Sequence, residues 1–219
     1  ATLLLRSYET AAGKEDKSEV TCILYHCCRN TISGNEAKMK YYEQIKLKNG
    51  TDCILRNPTG ADAQAILSHM ILTSAETNNM LRYPDEITLS EEAERDYLSE
   101  LEESEKTLML AAVVGDKVIA NAGLQPVFWC GKCKHRAEFG ISIQKAYWGC
   151  GVGSAILKAA LEQARRIGYT QVELEVVTEN TRAIALYKKF GFVRYGTNKK
   201  AFRCRDGQYQ ALDLMVCEL

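Results

Sequence analysis

Glu138-Phe139-Gly140-Ile141-Ser142-Ile143 runs shortly into Tyr147-Trp148-Gly149-Cys150-Gly151-Val152-Gly153-Ser154, and this stretch decides how the chain reads. The first part has the composition of a strand. Ser154 to Ile167 is amphipathic, with Ile156, Leu157, Ala160, Leu161 and Ala164 on one face, and Gly168 stops it. Between them stand the alternate glycines Gly149, Gly151 and Gly153. Glycine takes positive φ without a Cβ penalty and lets a ligand approach the backbone closely. The following helix start offers unpaired N–H groups and a positive dipole end. Together these make a phosphate cradle that needs no Lys or Arg.

Other glycine-loop devices fit less well. A Walker A loop needs Gly-Lys-Ser/Thr after its spacer, and none is present. A dinucleotide fingerprint needs a third glycine three residues after the second. Counted from Gly149 and Gly151 that place is Ser154, and from Gly151 and Gly153 it is Ile156. Glu173 and Glu175 fall near the ribose-binding position, but only one βαβ unit is present.

Working outward, Cys53-Ile54-Leu55-Arg56-Asn57 reads as a strand ended by Pro58, and Thr59 caps a helix from about Ala61. Ser90 caps a second, acid-rich helix. Thr107 to Val114 and Val118 to Val127 flank Gly115-Asp116 as a hairpin. Gln171 to Val177 alternates as a strand, Asn180 to Phe190 is a short helix closed by Gly191, and Phe192 onward and Ala211 to Leu219 add strands. This order implies α/β (α+β) architecture around one mixed sheet. Residues 1–50 carry no comparable pattern and are expected to be an extension. Met39 is a plausible alternative start, an idea that fails if deleting residues 1–38 leaves no folded product.

The chain has 219 residues, with 28 Lys plus Arg against 28 Asp plus Glu. That length suits one domain and a core without disulfide staples. Zero net charge argues against a dedicated nucleic-acid binder. Apolar runs fall far short of the ~18 residues of a membrane span, and the start lacks the pattern of a signal peptide. Nine scattered Cys do not form a secreted disulfide framework, so a reducing, cytoplasmic setting is expected. A homodimer stays open.

The loop and its neighbours resemble the acyl-CoA-binding core of the GNAT family of N-acetyltransferases. The family pattern, Gln/Arg-x-x-Gly-x-Gly/Ala opening a long helix, is matched by Trp148-Gly149-Cys150-Gly151-Val152-Gly153, with Trp in the polar first position. Asn180-Thr-Arg-Ala-Ile-Ala-Leu-Tyr187-Lys-Lys-Phe-Gly-Phe192 is similar to the family's Asn-x-x-Ala-x-x-x-Tyr-x-x-x-Gly-Phe. The resemblance covers about residues 51–219. It implies a single GNAT-type domain with a mostly antiparallel mixed sheet of six to seven strands and about four helices, and acetyl-CoA as cosubstrate. It further implies that the backbone of Ile141, Ser142 and Ile143 pairs with the pantetheine arm. The amides of Gly149, Cys150, Gly151, Val152, Gly153 and Ser154 would hold the pyrophosphate. Asn180 would contact the cofactor, and Tyr187 would protonate the departing thiolate.

Acyl transfer to an amine also asks for a base. Neutralising a lysine-like ammonium at pH 7 costs ~4–5 kcal/mol, a terminal α-amine only ~1 kcal/mol. Glu175 is the base candidate, placed before Tyr187 in Leu-Glu-Val as in the bacterial enzymes that acetylate a ribosomal protein's N-terminus. Glu138 and Glu173 are rivals, and any of them could act through a water. The implied reaction moves an acetyl group to a primary amine, with a small-molecule acceptor favoured. Protein N-terminal or lysyl acetylation and a non-catalytic CoA-binding module are the alternatives. No nucleic-acid or membrane partner is expected.

Cys130-Gly-Lys-Cys133-Lys-His135 looks like half a zinc site, but no second pair follows at suitable spacing, so a hairpin turn is expected and no metal. His69 falls near an apolar helical face and reads as core. Asp85 to Glu105 holds ten Asp/Glu and one Lys/Arg, read as a solvated face or, less simply, an acidic rim for a cationic substrate. Basic residues gather late, from Arg182 through Lys188, Lys199 and Lys200 to Arg205, and some could meet the 3′-phosphate of CoA.

Overall fold

The computed structural model describes residues 40–128 and 130–219. The strands are β1 (Tyr42–Lys46), β2 (Asp52–Arg56), β3 (Leu108–Val114), β4 (Lys117–Pro126), β5 (Arg136–Ile143), β6 (Gln171–Val177), β7 (Val193–Arg203) and β8 (Tyr209–Glu218). The α-helices are α1 (Ala63–Glu76), α2 (Glu91–Glu102), α3 (Val152–Ile167) and α4 (Thr181–Lys189). One eight-stranded sheet runs in the order β1-β2-β3-β4-β5-β6-β8-β7. Every neighbour pair is antiparallel except β5 and β6.

The mixed α/β architecture is as expected, with one strand more. That strand is β1, which pairs with β2 as a hairpin that spans residue 51. β1 sits at a sheet edge and is largely exposed, so it carries no alternation for a sequence reading to find. The Met39 start lies outside the described residues.

The helices cover both faces of the sheet. On one side α3 and α4 bury a core that includes Phe139, Ile156, Leu157, Phe192 and Met215. On the other, α1 and α2 cover Met109, Ala111 and Val118 with Ile66, Met70 and Leu98. Burying each of these side chains other than Ala111 contributes about 1.5–3 kcal/mol. Caps set the helix starts. The Thr59 amide donates to Asp62 Oδ2 at 2.8 Å, and Arg56 grips the same carboxylate with two 2.7 Å bonds, fixing the entry to α1. Ser90 Oγ accepts from the Ala93 amide at the start of α2. Of the ten acids from Asp85 to Glu105, only Glu94 is buried, which agrees with a solvated face. No described helix is long and apolar enough to cross a membrane.

Strands β5 and β6 pair through Arg136↔Gln171, Ala137↔Val172 and Glu138↔Glu173, and the register ends there. Beyond that point β5 continues on β4 and β6 continues on β8. The sheet therefore opens as a V. The β6-facing backbone edge of the last part of β5 is left without a strand.

Candidate active site

A cleft of about 450 Å³ fills the V, within the range of small-molecule and cofactor sites. Ile141, Ser142 and Ile143 form one wall, and Glu175, Val176 and Val177 the other. An extended ligand lying along β5 could take up its unpaired backbone groups as an added strand would.

The glycine loop closes one end. Gly149 and Gly151 have φ of 80° and 96°, left-handed conformations that a side chain would strain. Gly151 is the N-cap of α3, so the helix starts two residues earlier than expected, and Val152, Gly153 and Ser154 form its first turn. Amides of a first turn have no intrahelical acceptor and are free to meet an anion. A Cβ on Gly153 would stand 3.0 Å from Leu186 Cδ2 and 3.2 Å from Ile143 Cδ1. Glycine there lets α3 approach both α4 and β5. These residues fit a phosphorylated cofactor: positive-φ glycines, free first-turn amides and an adjoining unpaired strand edge.

Two expected site residues stand apart. Cys150 is not part of the cleft wall; its amide donates to Tyr147 O at 3.4 Å and its carbonyl accepts from the Lys48 amide at 2.9 Å. Glu138 sits at the last β5 position that pairs with β6 and does not line the cleft. Its rival Glu173 is held by Arg136 Nη2 at 2.8 Å and by Gln171. Burial pushes the Glu173 carboxyl up, but the bonds from Arg136 and Gln171 outweigh that and leave it below the usual carboxylate range. It is a structural ion-pair partner. Glu175, two residues further along the same face of β6, does line the cleft.

Asn180 and Tyr187 come from α4. Asn180 Oδ1 accepts from the Ala183 amide at 3.2 Å, capping the helix, and the residue lines the cleft. Tyr187, two turns on, is buried with its ring 5.8 Å from Phe192, yet it also borders the cleft. Its hydroxyl has no hydrogen-bond partner among the described residues. Burial pushes the phenol well above its ordinary value, so it stays protonated.

Some cleft residues were not foreseen. Lys48 enters from the β1–β2 turn, and Thr73, Thr77, Asn79 and Met80 from the end of α1 and the loop after it. Further along that loop, Arg205 of the β7–β8 turn clasps Tyr83, Asp85 and Glu86. Its guanidinium lies 4.0 Å from the Tyr83 ring centroid and 2.8 Å from Asp85, and its amide donates to Tyr83 Oη at 3.0 Å. No sequence signal announces contacts of this span. The acids of α2 do not line the cleft; its carboxylates are Glu175 and Glu179. Among the described residues no group of three or more His, Cys, Asp or Glu is placed to hold a metal.

The acetyltransferase (GNAT) family profile matches residues 74–192, more than half of the chain. The chain belongs to the GNAT acetyltransferase family. An L-amino acid N-acetyltransferase of Escherichia coli (strain K12) is 37% identical over 76 residues, 34% of this chain and 46% of that protein. The match thus spans less than half of that relative's own length. Among solved structures, a GNAT-family acetyltransferase from Streptococcus pneumoniae superimposes with a TM-score of 0.73 at 26% identity, over 76% of this chain and 99% of that one. The yncA protein of Salmonella typhimurium, solved with acetyl-CoA, has a TM-score of 0.66 at 18% identity, over 75% of this chain and 92% of that one, and shares the fold.

Proposed function

We propose that the protein transfers an acetyl group from acetyl-CoA to the neutral amine of a small-molecule acceptor by direct attack. The observation that carries the reading is Tyr187, a buried phenol without a partner among the described residues, bordering the same cleft as Glu175 and the glycine loop. The loop amides hold the pyrophosphate, and the free edge from Ile141 to Ile143 pairs with the pantetheine amides. Bound acetyl-CoA supplies an activated acyl thioester. Glu175 takes the proton of the acceptor ammonium, directly or through a water, and Tyr187 Oη holds the proton that the leaving sulfur needs.

The acceptor class rests on two supports. The E. coli relative is named for acting on L-amino acids. The Arg205 clasp also ties the β7–β8 turn to the loop after α1, whose Thr77, Asn79 and Met80 line the cleft. A peptide α-amine is the second reading, favoured by the Leu174-Glu175-Val176 likeness to N-terminal acetyltransferases and by the lower cost of neutralising an α-amine. Release of free CoA thiol is measured with acetyl-CoA and a panel of amino acids, polyamines, aminoglycosides and peptides. Small amines are expected to support release. Release with peptides alone would move the acceptor class, and CoA binding without release would leave a non-catalytic module.

A further inference from the structure

The loop motif lacks the polar side chain that the family carries at its first position. That place is Trp148, and its indole N–H is already spent on Ile143 O at 2.8 Å. Trp148 therefore has no donor left for a phosphate. Two cations from different elements instead line the same cleft and lie against this loop.

Lys48 is the first. It lies on the β1–β2 turn, upstream of the residues that the family profile matches. The turn is anchored by buried Leu47 and by the 2.9 Å bond from the Lys48 amide to Cys150 O. The Lys48 stem runs over the loop: a Cβ on Gly151 would meet Lys48 Cγ at 3.6 Å and Cε at 3.9 Å. Such a stem packs on the backbone and leaves its ammonium at the surface. Arg182 is the second, in the first turn of α4. Its guanidinium lies 5.3 Å from the centroid of the Trp148 ring, a cation–π arrangement on a ring that the Ile143 bond holds still. Both line the cleft, and among the described residues neither forms an ion pair. Glu179, which precedes α4, also lines the cleft.

We propose that Lys48 and Arg182 form a two-sided clamp on the phosphates of a CoA-type nucleotide, replacing the contact that Trp148 does not make. The inference rests on the CoA reading above and deepens it. The glycine loop supplies the amides, the hairpin outside the matched segment supplies one charge, and Trp148 acts as a platform that steers the other.

Calorimetric titration with CoA alone tests it, with no acceptor and no turnover. Lys48→Met keeps the stem and removes the charge; Arg182→Gln keeps a polar side chain. Each should weaken CoA binding about 5-fold. The double variant should lose most of the salt sensitivity that wild type shows. Lys46→Met, on the same hairpin but outside the cleft and paired with Asp52, should bind as wild type. If wild type binds CoA and the two single variants bind equally well, or Lys46→Met weakens binding as much, the clamp is overturned while the functional reading stands. If wild type takes up no CoA, the functional reading falls and the clamp with it.

Discussion

His69 Nε2 lies 2.8 Å from Ser142 Oγ, joining α1 to the wall of the cleft on β5. The other ring nitrogen, Nδ1, faces Gln144 Nε2 at 3.5 Å. That amide nitrogen also donates to Val118 O at 2.8 Å, which fixes which end of Gln144 is the donor. Nδ1 therefore accepts, Nε2 carries the hydrogen, and the ring sits neutral. Burial pushes its pKa down from 6.5 to about 4. Between these values the unfolded chain binds more protons than the folded one. Stability due to His69 is thus complete above pH 6.5 and is lost as pH falls toward 4, by ~3 kcal/mol in all. Denaturant unfolding at pH 7.5 and pH 5 should show wild type losing ~2 kcal/mol more than His69→Gln. Equal losses in the two chains would remove His69 as the cause.

Tyr187→Phe removes a hydroxyl with no partner among the described residues and leaves the ring on Phe192 in place. Stability and CoA affinity should therefore hold. kcat should fall about 100-fold, the lower end of what a positioned proton donor contributes. Steady-state kinetics with calorimetric CoA binding checks both halves. An unchanged kcat would take Tyr187 out of the chemistry.

Much of the candidate site was legible because its signals are local. Asn180 caps α4 through its own Oδ1, and a cap is written within a few residues. The loop glycines announce backbone that other residues avoid, although the sequence placed the helix start at Ser154 and the structure caps it at Gly151. What was not legible depends on registers and long-range approach. Glu138, Glu173 and Glu175 look alike as strand carboxylates. Only the end of pairing at Glu138↔Glu173 separates the paired positions from the one that lines the V. Lys48 reaches Cys150 across the fold from an edge hairpin whose exposed strand has no apolar alternation.

Glu175→Gln keeps the size and polarity of the wall and removes its capacity to take a proton. With an alkyl-amine acceptor, kcat/KM at pH 7 should fall about 10- to 100-fold. Raising the pH toward the amine's own pKa should recover part of the loss, because the acceptor then arrives neutral. CoA binding should not change. A pH–rate profile parallel to that of wild type would instead assign the proton transfer to water or another group.

Arg205 holds Tyr83, Asp85 and Glu86 from a turn that is distant in sequence, and its charges are open to solvent. Solvent-exposed charge pairs weaken as salt shortens the screening length. Hydrogen exchange should therefore report the clasp better than global stability does. In Arg205→Ala, amides between residues 77 and 90 should exchange faster, while those of β4 and α3 should keep wild-type protection. Wild type in high salt should move part of the way toward the variant. Because Thr77, Asn79 and Met80 line the cleft, the acceptor KM should rise in Arg205→Ala while CoA affinity holds. If exchange in that loop and the acceptor KM both stay at wild-type values, the clasp does not shape the acceptor side.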